Sequence, residues 1–230
     1  MKPPLLLIAG WAHPAESMQP LADLLRDLCT PTVIAASDFR PSSSLRPNVL
    51  LLGWSLGGQL ALAAALAQPA AVTGLILVNT TARFTLGPDW VHGLPAGQVR
   101  ALGRALRHDV ASALQGFLRL SAARHGHAGP APADLPRAPD PLTATLAEGL
   151  RQLAETDLRP QLAALRCPAL VIHAHDDAVI PLGAGQALAA GLPGARLVVC
   201  DGVGHDLPLR APERVAEVAR DFLHAHRQTS

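Results

Sequence analysis

Six short apolar runs, separated by longer stretches of helical periodicity, constrain the fold of this 230-residue chain more than any other feature. Each run is nearly continuous in apolar residues, which is the pattern of a parallel strand buried on both faces. The runs lie at 4–10, 32–37, 48–54, 74–79, 169–174 and 195–200. The helical patterns lie at 17–28, 55–68, 181–192 and 211–226. This alternation predicts an α/β fold with a mostly parallel sheet of about six strands, covered by helices on both faces.

The alternation is interrupted between residues 83 and 158, where no strand-like run occurs. Three helical patterns fill this stretch, and a loop with five prolines at 130–141 joins the last two. The helical patterns lie at 96–107, 109–124 and 142–156. We therefore predict a helical cap, residues 83–158, inserted before the strand at 169–174. The core would then comprise residues 1–82 and 159–230.

Composition narrows the possible function classes. Hydrophobic residues make up 49% of the chain and charged residues 16%, so disorder is not expected. The net charge of +1 gives no overall field that would attract nucleic acid or a membrane. The three cysteines are far apart and form no CxxC pair, which fits a reducing compartment. The first apolar run is too short for a secretory signal, and no segment has transmembrane length. We therefore predict a cytoplasmic protein.

The pentapeptide GWSLG at 53–57 stands where the third apolar run meets the helical pattern 55–68. It fits G-x-S-x-G, a sharp strand-to-helix turn in which flanking glycines avoid clashes. Such a turn would place Ser55 at the carboxyl end of a strand and at the positive end of a helix. Ser55 is therefore the candidate nucleophile, with the Leu56 N–H pointing toward an oxygen on the substrate carbon.

A nucleophilic serine needs a base, and the base needs a carboxylate that orients it. The segment DGVGHD follows the sixth apolar run and supplies His205, and HAHDD follows the fifth and supplies two adjacent acids, Asp176 and Asp177. Both segments fall at the carboxyl ends of predicted strands, where α/β sheets place their sites. Serine, acid and histidine follow each other in the order typical of α/β-hydrolases.

His173 and His175 stand beside the same two acids, so a metal site has to be considered. Alternate residues of a strand share a face, but no third and fourth ligand with suitable spacing follows. We predict no metal site and no cofactor.

The chain resembles α/β-hydrolases, and specifically the pimeloyl-[acyl-carrier protein] methyl ester esterases of biotin synthesis. The resemblance rests on GW, GWSLGG, FLRL, the segment from TDLR to VIP and GVGHDLPLRAPERV, at 10–11, 53–58, 117–120, 156–181 and 202–215. It covers most of the chain and is weakest in the predicted cap.

The resemblance implies a role for each site residue. Ser55, Asp177 and His205 would form the catalytic triad, with Asp177 preferred over Asp176 because it stands four residues before Pro181. Trp11 would supply a second oxyanion N–H beside that of Leu56. Three aromatic residues would contact the substrate at the acyl pocket: Trp11, Trp54 and Phe117.

The sequence departs from the family pattern in three places. Ala9 stands where the family has a histidine before Gly10, and the strands begin at what the family counts as its third. Only residues 38–47 join the second and third runs, where family members usually have a helix. We expect this short crossover to leave an exposed apolar patch on one sheet face, covered in a homodimer by a second subunit; the protein would be a monomer or a homodimer.

Positive charge is concentrated in the predicted cap. Between residues 83 and 127 there are six arginines and two acids, although the whole chain carries only +1. Arg100, Arg104 and Arg107 have the spacing of one helix face. Guanidinium groups bind carboxylate and phosphate, so this face would suit an acidic carrier protein with a phosphopantetheine arm. The predicted docking residues are Arg100, Arg104, Arg107, Arg119 and Arg124.

These features together predict a serine carboxylesterase that hydrolyses the methyl ester of a pimeloyl group on acyl carrier protein, or a small ester. A carboxylesterase or thioesterase of broad specificity would use the same triad. A non-catalytic binding protein with this fold is the alternative from another class, because the shortened scaffold and Ala9 depart from the family.

Overall fold

Six parallel strands form a single sheet in the computed structural model, which describes residues 2–122 and 140–229. The strands are β1 (Pro4–Ile8), β2 (Thr30–Ile34), β3 (Val49–Trp54), β4 (Val72–Val78), β5 (Ala169–Ala174) and β6 (Arg196–Cys200). Their order across the sheet is β2-β1-β3-β4-β5-β6, and every neighbouring pair is parallel. Each apolar run therefore overlaps one strand, although β2 contains only residues 32–34 of the run at 32–37, and the predicted α/β fold is confirmed.

Helices cover the sheet on both faces, which explains why the strand sequences are continuously apolar. The helices are α1 (Gln19–Asp23), α2 (Leu56–Ala67), α3 (Ala96–His108), α4 (Val110–Ser121), α5 (Asp140–Glu155), α6 (Leu182–Gly191), α7 (Leu207–Arg210) and α8 (Pro212–Thr229). Leu50 and Leu52 of β3 pack on the face with α1 and α8, whereas Leu51 packs on the face with α2 and α6. All six residues of β3 are buried.

The helix predicted at 17–28 is shorter and less regular than expected. A 3-10 turn at Ala15–Met18 leads into α1, which ends at Asp23, and single turns continue to Leu28. Pro20 explains the late start of α1, because proline lacks an N–H and is tolerated in the first helical turn.

Three helices lie between β4 and β5, as predicted for the cap. Helix α3 packs against both α4 and α5. Helix α5 begins at Asp140, two residues before the predicted start, and most of the proline-rich loop at 130–141 lies outside the described residues. The Leu158 N–H donates to the Ala82 carbonyl at 2.9 Å, so the two ends of the segment meet. The division into a core and a cap at 83–158 stays a prediction.

The crossover between β2 and β3 covers its face of the sheet without a helix. Phe39 is buried, and the side-chain amide of Gln68, the residue after α2, holds the crossover by bonds to Leu45 N, Pro41 O and Ser43 O at 3.0, 2.7 and 2.9 Å. The large apolar side chains that are exposed in residues 2–122 and 143–226 are Leu24, Leu86, Val91, Leu120 and Val199. None of them lies on β1, β2 or the crossover, so the prediction of an apolar patch there is wrong.

None of the described helices combines the length and the apolar character that crossing a membrane would require.

Candidate active site

Ser55 occupies the turn between β3 and α2 with a backbone φ of +55°, in the left-handed region. The glycines around it allow this turn. A Cβ atom on Gly53 would lie 2.3 Å from the Gly57 carbonyl oxygen, and one on Gly57 would lie 2.3 Å from the Ile8 carbonyl oxygen. The turn therefore requires glycine at both flanking positions, and it raises Ser55 above the carboxyl ends of β1 and β3.

His205 bridges Ser55 and Asp177 in the buried centre of the site. Its Nδ1 lies 2.8 Å from Asp177 Oδ2, and its Nε2 lies 3.0 Å from Ser55 Oγ. A carboxylate can only accept, so Nδ1–H donates to Asp177 and Nε2 is left to accept the Ser55 hydroxyl proton. This arrangement can remove a proton from Ser55 as its oxygen attacks a carbonyl carbon.

Asp177, and not its neighbour Asp176, is the acid that contacts His205. Asp177 Oδ1 accepts the backbone N–H groups of Val179 and Ile180 at 2.8 and 2.7 Å, which leaves Oδ2 directed at the imidazole. Asp176 lies 3.2 Å from the Nδ1 atom of the exposed His175. The choice between the two acids, open from residue types alone, is resolved by this geometry.

A cavity of about 720 Å³ is lined by both predicted oxyanion residues, Trp11 and Leu56, the second of which directly follows Ser55; the side chains of Ser55, Asp177 and His205 are not part of its lining. Leu56 is the first residue of α2, where backbone N–H groups lack a partner within the helix. The Trp11 indole N–H donates to the Leu146 carbonyl of α5 at 2.9 Å. Leu114 and Leu118 of α4 complete an apolar wall, so the cavity suits an acyl chain.

Comparison with known proteins agrees with this geometry. Residues 36–212 match the family model for the alpha/beta hydrolase fold. The chain belongs to the α/β-hydrolase family. A pimeloyl-[acyl-carrier protein] methyl ester esterase of Xanthomonas campestris pv. campestris (strain B100) is 31% identical, over 97% of this chain and 96% of the relative. The enzyme of the same name from Aromatoleum aromaticum is 36% identical, over 84% and 80%.

Among solved structures, an esterase from Exiguobacterium antarcticum has the same fold. It superposes with a TM-score of 0.79 at 22% sequence identity, covering 96% of this chain and 92% of the esterase. The family resemblance inferred from the sequence motifs is therefore confirmed.

The two other aromatic residues predicted at the acyl pocket of this hydrolase differ in placement. Phe117 of α4 packs edge-on against Trp11, with ring centroids 4.9 Å apart, and its ring lies 6.4 Å from that of His205. Trp54 is fully buried in the core beside α1 and α8, and its indole N–H donates to the His205 carbonyl at 2.9 Å. Phe117 thus packs beside Trp11 and near His205 without lining the cavity, whereas Trp54 bonds from the core to the main chain of His205.

The predicted docking arginines of the hydrolase are surface residues as far as the structure describes them. Arg100, Arg104 and Arg107 are exposed on α3, and Arg119 is exposed on α4. Arg124 lies outside the described residues. Arg83, which also contributes to the positive charge of the segment, instead pairs with Asp157 at 3.1 Å.

The two histidines that raised the question of a metal separate in the structure. His173 is fully buried on β5 with Nε2 2.9 Å from the Ile180 carbonyl, and burial lowers its pKa. His175 follows the end of β5, and its side chain is 57% exposed. Within residues 2–122 and 143–226, no three His, Cys, Asp or Glu side chains converge as a metal site would require.

Two residues near the site were missed by the sequence analysis. His13 lines the cavity, and its Nδ1 lies 2.8 Å from the Trp11 carbonyl oxygen, so an imidazole supports this loop although Ala9 replaces the family histidine. Asn79, the last residue of the fourth apolar run, bonds to the loop of His205. The histidine two residues after GW was a usable signal, whereas nothing in the sequence around Asn79 marked it.

Proposed function

We propose that this α/β-hydrolase is a serine carboxylesterase that removes the methyl ester from a pimeloyl group carried by acyl carrier protein. The observation that carries the proposal is the hydrogen-bonded series Ser55–His205–Asp177 beside an apolar cavity. Relatives named for this reaction, aligned over nearly the whole chain, support the choice of substrate. A protein with free, separated cysteines would function in the reducing cytoplasm.

The reaction would proceed through an acyl-enzyme. Ser55 Oγ attacks the ester carbonyl carbon while His205 Nε2 takes the hydroxyl proton. The oxyanion that forms accepts hydrogen bonds from the backbone N–H groups of Leu56 and Trp11. The tetrahedral intermediate collapses, and His205 returns the proton to the departing methanol. Water then attacks the acyl-enzyme with His205 as base, and the product keeps its thioester but gains a free carboxylate. Asp177 stabilises the imidazolium in both steps, and no cofactor takes part.

The oxyanion donors are expected to provide much of the rate enhancement. One such N–H is worth about 3–4 kcal/mol in comparable sites, because it is aimed at charge that develops only in the transition state.

The test of this proposal is a mass measurement of pimeloyl-carrier methyl ester before and after incubation with the protein. Incubation with the wild type should lower the mass of the substrate by the difference between a methyl ester and an acid. Incubation with Ser55→Ala should leave the mass unchanged. Hydrolysis of small esters without demethylation of the carrier-bound substrate would favour a carboxylesterase or thioesterase of broad specificity. A folded wild type that hydrolyses neither, and that a fluorophosphonate does not label, would contradict the esterase and favour a binding role.

We further propose that the exposed arginines of α3 and α4 dock the acidic carrier. The spacing of Arg100, Arg104 and Arg107 on one face of α3 and the local excess of positive charge support this role. Arg100→Glu combined with Arg104→Glu should reduce kcat/KM on carrier-bound substrate and leave hydrolysis of small esters unchanged. Lys2→Glu, a charge reversal outside the cap, serves as the control. Equal loss on both substrates would reject the docking role.

A further inference from the structure

Asn79 directly follows β4 near the centre of the sheet with a backbone φ of +44°, and its side chain is fully buried. Its backbone N–H continues the strand ladder by donating to the Ile172 carbonyl at 2.9 Å. Among residues other than glycine, asparagine is one of the few that adopt left-handed backbone readily. The side chain therefore leaves the strand in a direction that the neighbouring regular strand residues do not use.

All the hydrogen-bonding groups of the Asn79 amide are used. Nδ2 donates to the carbonyls of Gly204 and His205 at 3.0 and 2.9 Å, and Oδ1 accepts the Ala174 N–H at 2.7 Å. The orientation of the amide follows from chemistry, because a backbone N–H can only donate and a carbonyl can only accept. In a flipped amide, the Asn79 side-chain oxygen would face the carbonyl oxygens of Gly204 and His205, and no hydrogen bond could form.

These three bonds join the two loops of the triad. Ala174 is the last residue of β5, and its carbonyl accepts the Asp177 N–H at 3.4 Å, so Ala174 is the point from which the acid loop leaves the sheet. Gly204 and His205 belong to the loop of the base. One side chain thus bonds to the root of the acid loop and to the main chain of the catalytic histidine.

The main chain of His205 is held on both sides. Its N–H donates to the Ser121 carbonyl at the end of α4 at 3.0 Å, and its carbonyl also accepts the Trp54 indole N–H at 2.9 Å. With the backbone held, the imidazole can adjust only by rotation of its side-chain torsions. The positions of Nδ1 and Nε2 then depend on where this loop is held relative to the acid loop and Ser55.

We propose that Asn79 is a positioning residue that sets the placement of His205 relative to Asp177 and Ser55. The proposal rests on the proposed esterase function. Asn79 touches no reacting atom, and it acts through the backbone to which its amide bonds. Displacements of about 1 Å in such a site can cost about a hundredfold in rate, which is the scale on which the amide bonds would act.

Two substitutions separate the contributions of the amide. Asn79→Gly keeps the left-handed backbone accessible and removes all three bonds. Asn79→Asp keeps the shape and an acceptor for the Ala174 N–H, but it replaces the donor of the two loop carbonyls by oxygen. Asn48→Gly is the matched control, because Asn48 also has a left-handed backbone, with φ of +59°, but it is exposed before β3 and far from the triad in the fold.

The experiment measures hydrolysis of a small ester per active site, with sites counted by fluorophosphonate titration carried to completion. Both Asn79 variants should lose about tenfold or more in kcat per titrated site, with KM changed less than about twofold. Asn48→Gly should match the wild type. Normalising to titrated sites removes the contribution of unfolded protein, so a variant that folds only in part still reports on positioning.

If both Asn79 variants keep the wild-type kcat per titrated site and only the number of sites falls, the amide is structural and the proposal is overturned. The same follows if Asn48→Gly lowers kcat as much as Asn79→Gly. A wild type that neither hydrolyses the ester nor reacts with the fluorophosphonate would refute the esterase itself, an outcome distinct from a failure of the variants.

Discussion

At the scale of a single residue, His13 connects the main chain of Trp11 with the buried ring of Trp54. Its ring lies 4.4 Å from that of Trp54, and its Nδ1 lies 2.8 Å from the Trp11 carbonyl oxygen. Burial, with a smaller contribution from the nearby His205, lowers the pKa of His13 from 6.5 to about 4, although the bond to the Trp11 carbonyl opposes the shift. The folded protein therefore holds His13 neutral at neutral pH, with Nδ1–H as the donor to the Trp11 carbonyl.

The lowered pKa of His13 predicts a loss of stability in acid. Below pH 6.5 the unfolded chain protonates this imidazole, whereas the folded chain does so only near pH 4. Stability therefore falls as the pH falls across this window, by up to about 3 kcal/mol from this group. His13→Asn, which keeps a donor for the Trp11 carbonyl, should show a smaller difference in unfolding free energy between about pH 7 and about pH 5.

Urea unfolding of both proteins at the two pH values measures this difference. His173, whose pKa burial also lowers, is present in both proteins and cancels in the comparison. An identical pH dependence in wild type and variant would show that His13 is protonated as readily in the folded chain as in the unfolded one.

At the scale of elements, α5 contacts the predicted oxyanion residues Trp11 and Leu56 through a glycine. A Cβ atom on Gly149 would lie 2.7 Å from Trp11 Cδ1 and 3.2 Å from Leu56 Cδ2. The Trp11 indole is also bonded to the Leu146 carbonyl of the same helix. Helix α5 therefore packs closely against Trp11 and Leu56, the two predicted oxyanion donors. A displacement of α5 would displace these residues as well.

Gly149→Ala should lower kcat for small esters by about tenfold or more, because the added methyl displaces Trp11 or α5. Gly116→Ala on α4 is the matched control, since no atom lies within 4 Å of its Cβ position. There the change should leave kcat unaltered and raise stability by about 0.5–1 kcal/mol, the usual gain from replacing a helical glycine. Steady-state kinetics and thermal unfolding of the two variants test these expectations. Full activity of Gly149→Ala would show that Trp11 and α5 accommodate the added methyl group without loss of catalysis.

The chain segment before α3 and the segment after α5 are joined by a charge network. Asp157 accepts bonds from Arg159 at 2.7 and 2.8 Å and from Arg83 at 3.1 Å, and Asp89 adds a pair with Arg159 at 2.9 Å. The Arg159 guanidinium, and then Arg83, hold the pKa of the Asp157 carboxyl below its ordinary value. This arrangement explains the TDLR motif at 156–159, because its Asp157 and Arg159 bind the chain after α5 to the chain before α3.

Asp157→Asn should destabilise the fold by about 1–3 kcal/mol, the usual effect of losing bonds to a charged group. Asp23→Asn, which breaks the exposed pair with Arg26, should cause no measurable change. The Asp157 contribution is present above the ordinary carboxyl pKa and is lost as the pH falls through its lowered value. Denaturant unfolding near neutral pH compares the two variants, and equal effects would show that the network adds no more than a surface pair.

At the scale of the whole molecule, the uneven distribution of charge matters more than its sum. The chain carries only +1, yet four arginines are exposed on α3 and α4. Interactions between exposed charges are screened within about 10 Å at about 0.1 M salt. An acidic carrier that docks on these helices would therefore bind less well as salt is added, whereas a small neutral ester would not respond.

Raising salt from about 0.05 M to about 0.5 M should lower kcat/KM for the carrier-bound ester several-fold and leave a small neutral ester unchanged. The Arg100→Glu and Arg104→Glu variant should show a weaker salt effect on the carrier-bound substrate. A parallel loss on both substrates would point to the catalytic site rather than to docking.

The sequence by itself determined the sheet, the order of the site residues and the nucleophile turn. These features are encoded locally, because a strand buried on both faces must be apolar at every position and the Ser55 turn excludes a Cβ at its flanks. The short crossover shows the limit of such reasoning. A missing helix suggested an uncovered face, but Phe39 and the Gln68 amide cover it through contacts that no periodicity records.

Only the tertiary structure decided which acid meets His205, which tryptophan faces the cavity and what holds the histidine loop. Asp176 and Asp177 are chemically identical, and the two backbone N–H groups that orient Asp177 distinguish them only after folding. Asn79 bonds to Ala174 and His205, which are 95 and 126 residues away. Hydrogen bonds over such separations depend on where folding brings the strand ends. Because each of these bonds involves a single side chain, no periodic sequence pattern predicts them.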